Sequence, residues 1–105
     1  REIGKWQEAE SFFRKAIKIK PEFSNAYLNL ASTLRNLGKS IEAESILRKA
    51  IEIEPDFLEA YINLGALCRE MGKLEEARFC SEKIMSIRSW SIMGSYTFNY
   101  EMELD

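Results

Sequence analysis

A chain that repeats itself every 34 residues folds by stacking one unit on the next, because no single unit can bury its own apolar surface. Gly4, Gly38 and Gly72 lie at that interval here, and so do Lys5, Lys39 and Lys73. The same shift carries Glu8-Ala9 onto Glu42-Ala43 and Glu76-Ala77, and Arg14-Lys15-Ala16-Ile17 onto Arg48-Lys49-Ala50-Ile51. It also carries Pro21 onto Pro55, Phe23 onto Phe57, Ala26-Tyr27 onto Ala60-Tyr61, and Asn29-Leu30 onto Asn63-Leu64. Roughly half of one full period is identical to the next, far more than shared composition produces.

Two helical patterns alternate within each period. From Ser24 to Leu37, apolar residues at Tyr27, Leu28, Leu30, Ala31, Leu34 and Leu37 recur at intervals of three and four, which defines one helix face. Phe57 to Met71 repeats the pattern with Tyr61, Ile62, Leu64, Leu67, Cys68 and Met71. The partner helix runs from about Ser40 to Ile53 and offers Ala43, Ile46, Leu47, Ala50 and Ile53 to a core. Its counterparts run from about Trp6 to Ile19 and from about Leu74 to Ile87. Gly38 and Gly72 stand where a glycine ends a helix, and Pro21 and Pro55 stop the helices before them.

Composition narrows the chemistry. Fifteen basic and seventeen acidic residues leave a net charge of −2, so no global field draws nucleic acid or an anionic membrane. Histidine is absent, which removes histidine triads, proton relays and histidine zinc sites. Two cysteines are too few for a four-thiolate zinc site, and no cofactor motif is present. Paired acids such as Glu75-Glu76 have no nucleophile or phosphate-binding glycine loop beside them, so catalysis is not expected of these residues. No apolar run approaches the roughly 20 residues of a membrane-spanning helix. The chain opens on Arg1 and is expected to be a piece of a longer protein; free cysteines without an export signal point to the cytoplasm.

Tyr27, Leu30, Ala31, Leu34, Gly38, Ala43, Leu47, Ala50 and Pro55 fall on an ordered signature of an aromatic, Leu-Gly, a second aromatic, alanines and a closing proline, with Leu34, and Cys68 one period on, at the second aromatic's place. Tyr61, Leu64, Gly65, Cys68, Gly72, Ala77 and Ile84 continue it; Trp6, Ala9, Phe13, Ala16 and Pro21 give the second half of an earlier unit. In these residues the chain resembles the tetratricopeptide repeat family. The resemblance implies an all-α fold, a right-handed superhelical array of antiparallel helix pairs. It implies a truncated unit over 1–23, a full unit over 24–57, a last degenerate unit over 58–91 and a non-repeat tail over 92–105. Ile84 in place of alanine and Ser89 in place of proline mark the last unit as divergent. Ala31 is expected against Ala43, and Gly65 against Ala77, where paired helices approach most closely. With no opening helix in the first unit, Phe12, Phe13 and Ile17 need cover from elsewhere.

Asn29 and Asn63 recur at one slot, off the buried stripe and towards the concave side of such an array. An amide there offers a donor and an acceptor to an extended peptide backbone, or to the neighbouring repeat. The Asn-Leu-Ala and Asn-Leu-Gly context resembles the repeats of O-linked N-acetylglucosamine transferases, which implies a substrate-holding role for Asn29 and Asn63. Arg35 and Arg69 also recur, and suit either acidic groups on a ligand or the negative end of the helix dipole. Repeat proteins that clamp a terminal carboxylate use lysine and arginine at slots held here by Asn25, Ser32, Glu59 and Ala66, so that clamp is not expected. Asn25 and Ser32 join the peptide-binding candidates as polar residues of the same face. Cys68 and Cys80 read as core, and the charges at Arg14, Lys15, Lys18, Lys20, Glu42, Glu44, Glu52 and Glu54 as solvated outer surface.

From Tyr96 the tail alternates strictly, with Tyr96, Phe98, Tyr100, Met102 and Leu104 on one side. That is a strand pattern; the alternative is a cap in which Trp90 and Ile92 cover the last repeat. The expected function is a protein-interaction module that takes a peptide or partner protein on its concave face. The alternative is the substrate-docking segment of a larger glycosyl- or sulfotransferase. Self-association through the uncovered first helix or the tail is a further expectation.

Overall fold

The computed structural model describes the backbone of residues 2–104 and the side chains of residues 3–89. Five helices follow one another: α1 (Glu2–Ile19), α2 (Ser24–Asn36), α3 (Ser40–Ile53), α4 (Leu58–Glu70) and α5 (Leu74–Leu104). Each packs on the next, and a smaller contact joins α2 to α4 across one repeat. The array is an all-α solenoid of helix pairs, as the 34-residue period predicts.

The turns repeat as faithfully as the helices. Gly38 and Gly72 adopt φ of 82° and 78°, the left-handed conformation that glycine enters without a Cβ clash. At the first, Lys39 N–H donates to the Leu34 carbonyl at 2.8 Å and Gly38 N–H to the Arg35 carbonyl at 3.0 Å. At the second, Lys73 donates to Cys68 at 2.8 Å and Gly72 to Arg69 at 3.1 Å. These paired bonds close the last carbonyls of α2 and α4 and turn the chain sharply into α3 and α5. Pro21 and Pro55 sit second in equivalent four-residue turns, in which Phe23 N–H donates to Lys20 and Phe57 N–H to Glu54, both at 3.1 Å.

The core runs along the axis of the stack. Ala26, Leu30, Ala31 and Leu34 of α2, Ala43, Leu47 and Ala50 of α3, Ala60, Leu64, Leu67 and Cys68 of α4, and Ala77 and Cys80 of α5 are all buried. A Cβ added to Gly65 would lie 3.2 Å from the Cys80 Cβ and 4.0 Å from the Ala77 carbonyl oxygen. The tightest approach to Gly65 is therefore Cys80, one turn beyond the Ala77 expected there. Both thiols are buried and free, and burial raises their pKa, which makes them inert core residues. Phe13 and Ile17 are half-buried against the core, whereas Phe12 remains 66% exposed. Ile62 departs from expectation: it is 39% exposed, while its equivalent Leu28 is buried.

The tail also corrects the sequence reading. The helix α5 runs without a break to Leu104, where the alternation predicts a strand. A lone strand beside a helical array leaves its backbone N–H and C=O groups unpaired, whereas a helix satisfies them within itself. The capping role considered for Trp90 and Ile92 depends on side chains outside the described residues.

Ala43 is fully buried, and leucine there would force α2 and α3 apart. Ala43→Leu is expected to cost about 1–3 kcal/mol, measured by urea unfolding; unchanged stability would misplace that helix contact.

Candidate functional site

One side of α2 and α4 turns its back on the core. On α2, Asn25, Asn29, Ser32 and Arg35 are spaced by four, three and three residues and are all exposed. On α4 the matching positions are Glu59, Asn63, Ala66 and Arg69, of which Asn63 and Ala66 are half-buried. The structure thus brings the six sequence-chosen residues onto one polar face. Neither the Asn29 nor the Asn63 side chain hydrogen-bonds another described residue, so both amides keep their donors and acceptors. The Asn29 backbone carbonyl accepts a 2.9 Å bond from the buried Thr33 hydroxyl, and the Ser32 carbonyl accepts one from the Asn36 amide.

The two arginines part company. The Arg35 guanidinium grips both carboxylate oxygens of Glu70, one through Nε at 3.2 Å, and so ties α2 to α4. Half-exposed, this pair contributes at most about 1 kcal/mol, but it fixes the Arg35 head in place. Arg69 is exposed and in no ion pair among the described residues. Only Arg69 therefore presents an uncommitted cation on this face.

Beside the face, the second helix of each pair carries a ladder of charge that the sequence reading left in solvent. Glu44 is only 8% exposed. Its carboxylate accepts from Lys73 Nζ, in the turn just before α5, at 2.7 Å and from Arg48 of its own helix at 2.8 Å. Arg48 reaches on to Glu76 of α5. One unit earlier the same rung recurs: Glu10 holds Lys39 at 3.3 Å and Arg14 at 3.0 Å, and Arg14 reaches Glu42 of α3. The hydrogen bond from Lys73, with support from Arg48, holds the Glu44 carboxyl below the usual carboxylate range against the opposing effect of burial. Arg14 does the same for Glu10, aided by Lys39. The signal was present in the sequence as four charges repeating together: Glu-x3-Arg on one second helix and Lys-x2-Glu across the start of the following one.

Two bonds tie the loops to this frame. The Tyr27 hydroxyl donates to the Pro21 carbonyl at 2.9 Å, and the Ser24 hydroxyl donates to Glu54 at 2.7 Å. Among the described residues, no helix is long and apolar enough to cross a membrane.

Helix pairs with glycine-closed turns, alanine crossings and a polar face along their first helices define an α-helical repeat module. A family model for the tetratricopeptide repeat matches residues 22–89, and a second model of that description matches residues 1–23. The chain belongs to the tetratricopeptide repeat family. Among solved structures it is similar to the first such repeat domain of Spaghetti (RPAP3), bound to the HSP90 peptide SRMEEVD. The two share 30% identity over 80% of this chain and 67% of that one, with a TM-score of 0.76. It is similar to the TPR2B domain of yeast Sti1, solved as a pHsp70 complex, with 25% identity over 94% of this chain and 79% of that one and a TM-score of 0.79. MamA shares the fold at 24% identity and a TM-score of 0.82; the chain covers about half of it, 54%. No curated protein matches the chain in sequence.

Because the folded Glu44 and Glu10 pKa values are depressed, their contribution is present above the ordinary glutamate pKa of about 4.3 and lost as pH falls through the folded value. Glu44→Gln should cost about 1–2 kcal/mol at pH 7 and much less at an acid pH below the depressed folded pKa, where the parent carboxyl is itself protonated. Urea unfolding at the two pH values reads this directly. An equal loss at both would assign Glu44 a packing role.

Proposed function

We propose that this chain is a peptide-binding module that holds an extended segment of another protein along the concave side of α2 and α4. The observation that supports it is the pair of uncommitted amides, Asn29 and Asn63, at one slot of successive first helices. An extended peptide repeats its N–H and C=O groups along its length, so amides at a fixed interval match any sequence. That two of the similar structures, those of Spaghetti and Sti1, are peptide complexes supports the same mode of use.

The ligand differs in one respect from a peptide held by its terminal carboxylate. Asn25, Ser32, Glu59 and Ala66 supply no cation to such a group, and Arg35 is already held by Glu70. Arg69 is left as the single contact for an acidic ligand residue, and it is sensitive to salt. Recognition is mainly of backbone, with Ile62 offering apolar contact beside Asn63.

Each amide is expected to contribute about 0.5–1.5 kcal/mol, so Asn29→Ala with Asn63→Ala should weaken binding about tenfold. Calorimetry with SRMEEVD, its C-terminal amide and extended peptides of unrelated sequence should show a similar loss for each peptide that binds. A double variant that binds them all as tightly as the parent would end the backbone reading.

A further inference from the structure

At one end of the polar face, a charge of the protein itself fills the place that a ligand's charge would take. Glu70 lies seven residues on from Asn63, two turns along the same side of α4, as Asn36 does from Asn29 on α2. Both are exposed. The Asn36 amide stays on its own helix and donates to the Ser32 carbonyl at 2.9 Å. The Glu70 carboxylate crosses instead to α2, where the Arg35 guanidinium donates to both its oxygens, through Nε at 3.2 Å and through Nη2. Every other ion pair between helices among the described residues involves a second helix of a pair. This one joins two first helices, on the side proposed for the ligand, and with 38% and 53% of its side chains exposed it is open to a ligand lying there.

We propose that Glu70 determines the charge of the ligand: by holding Arg35 it sets this end of the face against acidic side chains and in favour of extended segments that are uncharged there. The inference rests on the peptide-binding reading of the Asn29 and Asn63 face. A planar guanidinium gripped at two points by one carboxylate is the arrangement that would otherwise receive an aspartate or glutamate of the ligand. An acidic side chain brought to this end gives up its water, meets the Glu70 carboxylate and finds the paired donors of Arg35 already taken. A neutral side chain bears no such cost. Arg69 does not fill the gap, because a residue one place before Glu70 projects about 100° round the helix from it.

Glu70→Gln keeps the shape of the side chain, removes its charge and frees Arg35. Calorimetry with SRMEEVD and SRMQQVD, which differ only in their internal carboxylates, gives a ratio of affinities that a general loss of structure does not move. The parent should show no preference for SRMEEVD. In Glu70→Gln the ratio should shift about fivefold towards SRMEEVD, and the shift should fade with added salt. Arg35→Gln combined with Glu70→Gln should cancel it. Glu59→Gln removes an exposed acid from the same helix and should shift the ratio by less than about twofold. A parent that already prefers SRMEEVD, an unmoved ratio in Glu70→Gln, or a shift that survives the loss of Arg35 would overturn the proposal. An equal shift from Glu59→Gln would overturn it too, by reducing Glu70 to its share of the net charge. In each of these cases peptide still binds and the reading of the face stands; binding of neither peptide, by the parent or by Glu70→Gln, would overturn that reading and this proposal with it.

Discussion

Everything in this molecule depends on how closely the two helices of a pair can approach. Helices of 13 or 14 residues carry too little apolar surface to stand alone in water, so each must be covered on both flanks. Close approach supplies that cover only where side chains are small, which is why Ala31, Ala43, Ala50, Ala60 and Ala77 are all buried. Gly65 shows the limit: its missing Cβ leaves just enough room for Cys80 on the facing helix. The polar face of α2 and α4 follows from the same packing, since the stripe that faces the core dictates which residues are turned away from it.

The ladder links successive second helices, α1 to α3 and α3 to α5, a junction that the alanine crossings within each pair do not make. Small apolar residues pack against one another in more than one register, but a carboxylate as enclosed as Glu44 tolerates only an arrangement that brings it cations. Lys73, in the turn before α5, and Arg48 of α3 do so together, and Arg48 goes on to Glu76 of α5, so a charge match links successive second helices. Such a pair gives modest net stability, because desolvation offsets much of the attraction. Its larger effect is on which neighbour is accepted.

Most of the fold was legible because the period is carried by residues with one structural meaning each. Positive-φ glycines, turn prolines and crossing alanines state the turn, the stop and the contact without reference to anything distant. The bounds of α3 and the buried stripe of α2 follow from them. The errors came where meaning depends on partners. Glu44 looks like any surface acid until the Lys73 that covers it is placed, and Arg35 looks free until Glu70 arrives one unit later. The alternating tail reads as a strand by pattern alone, yet a strand is defined by its neighbour, and the array offers none to pair with.

The polar face teaches the complementary lesson. Asn29 is exposed and Asn63 half-buried, off the buried stripe, because helical spacing fixes direction without any partner. Arg35 and Arg69 share the same spacing and the same residue type, and still differ in what they can do. The difference lies in Glu70, which stands 35 residues on from Arg35; the position 35 residues on from Arg69 is Leu104. One carboxylate added to the second unit therefore takes Arg35 away from any ligand and makes it a brace between the helices. A repeat array specialises in this way: the period builds the scaffold, and single departures from it decide which copies of a residue remain available for binding.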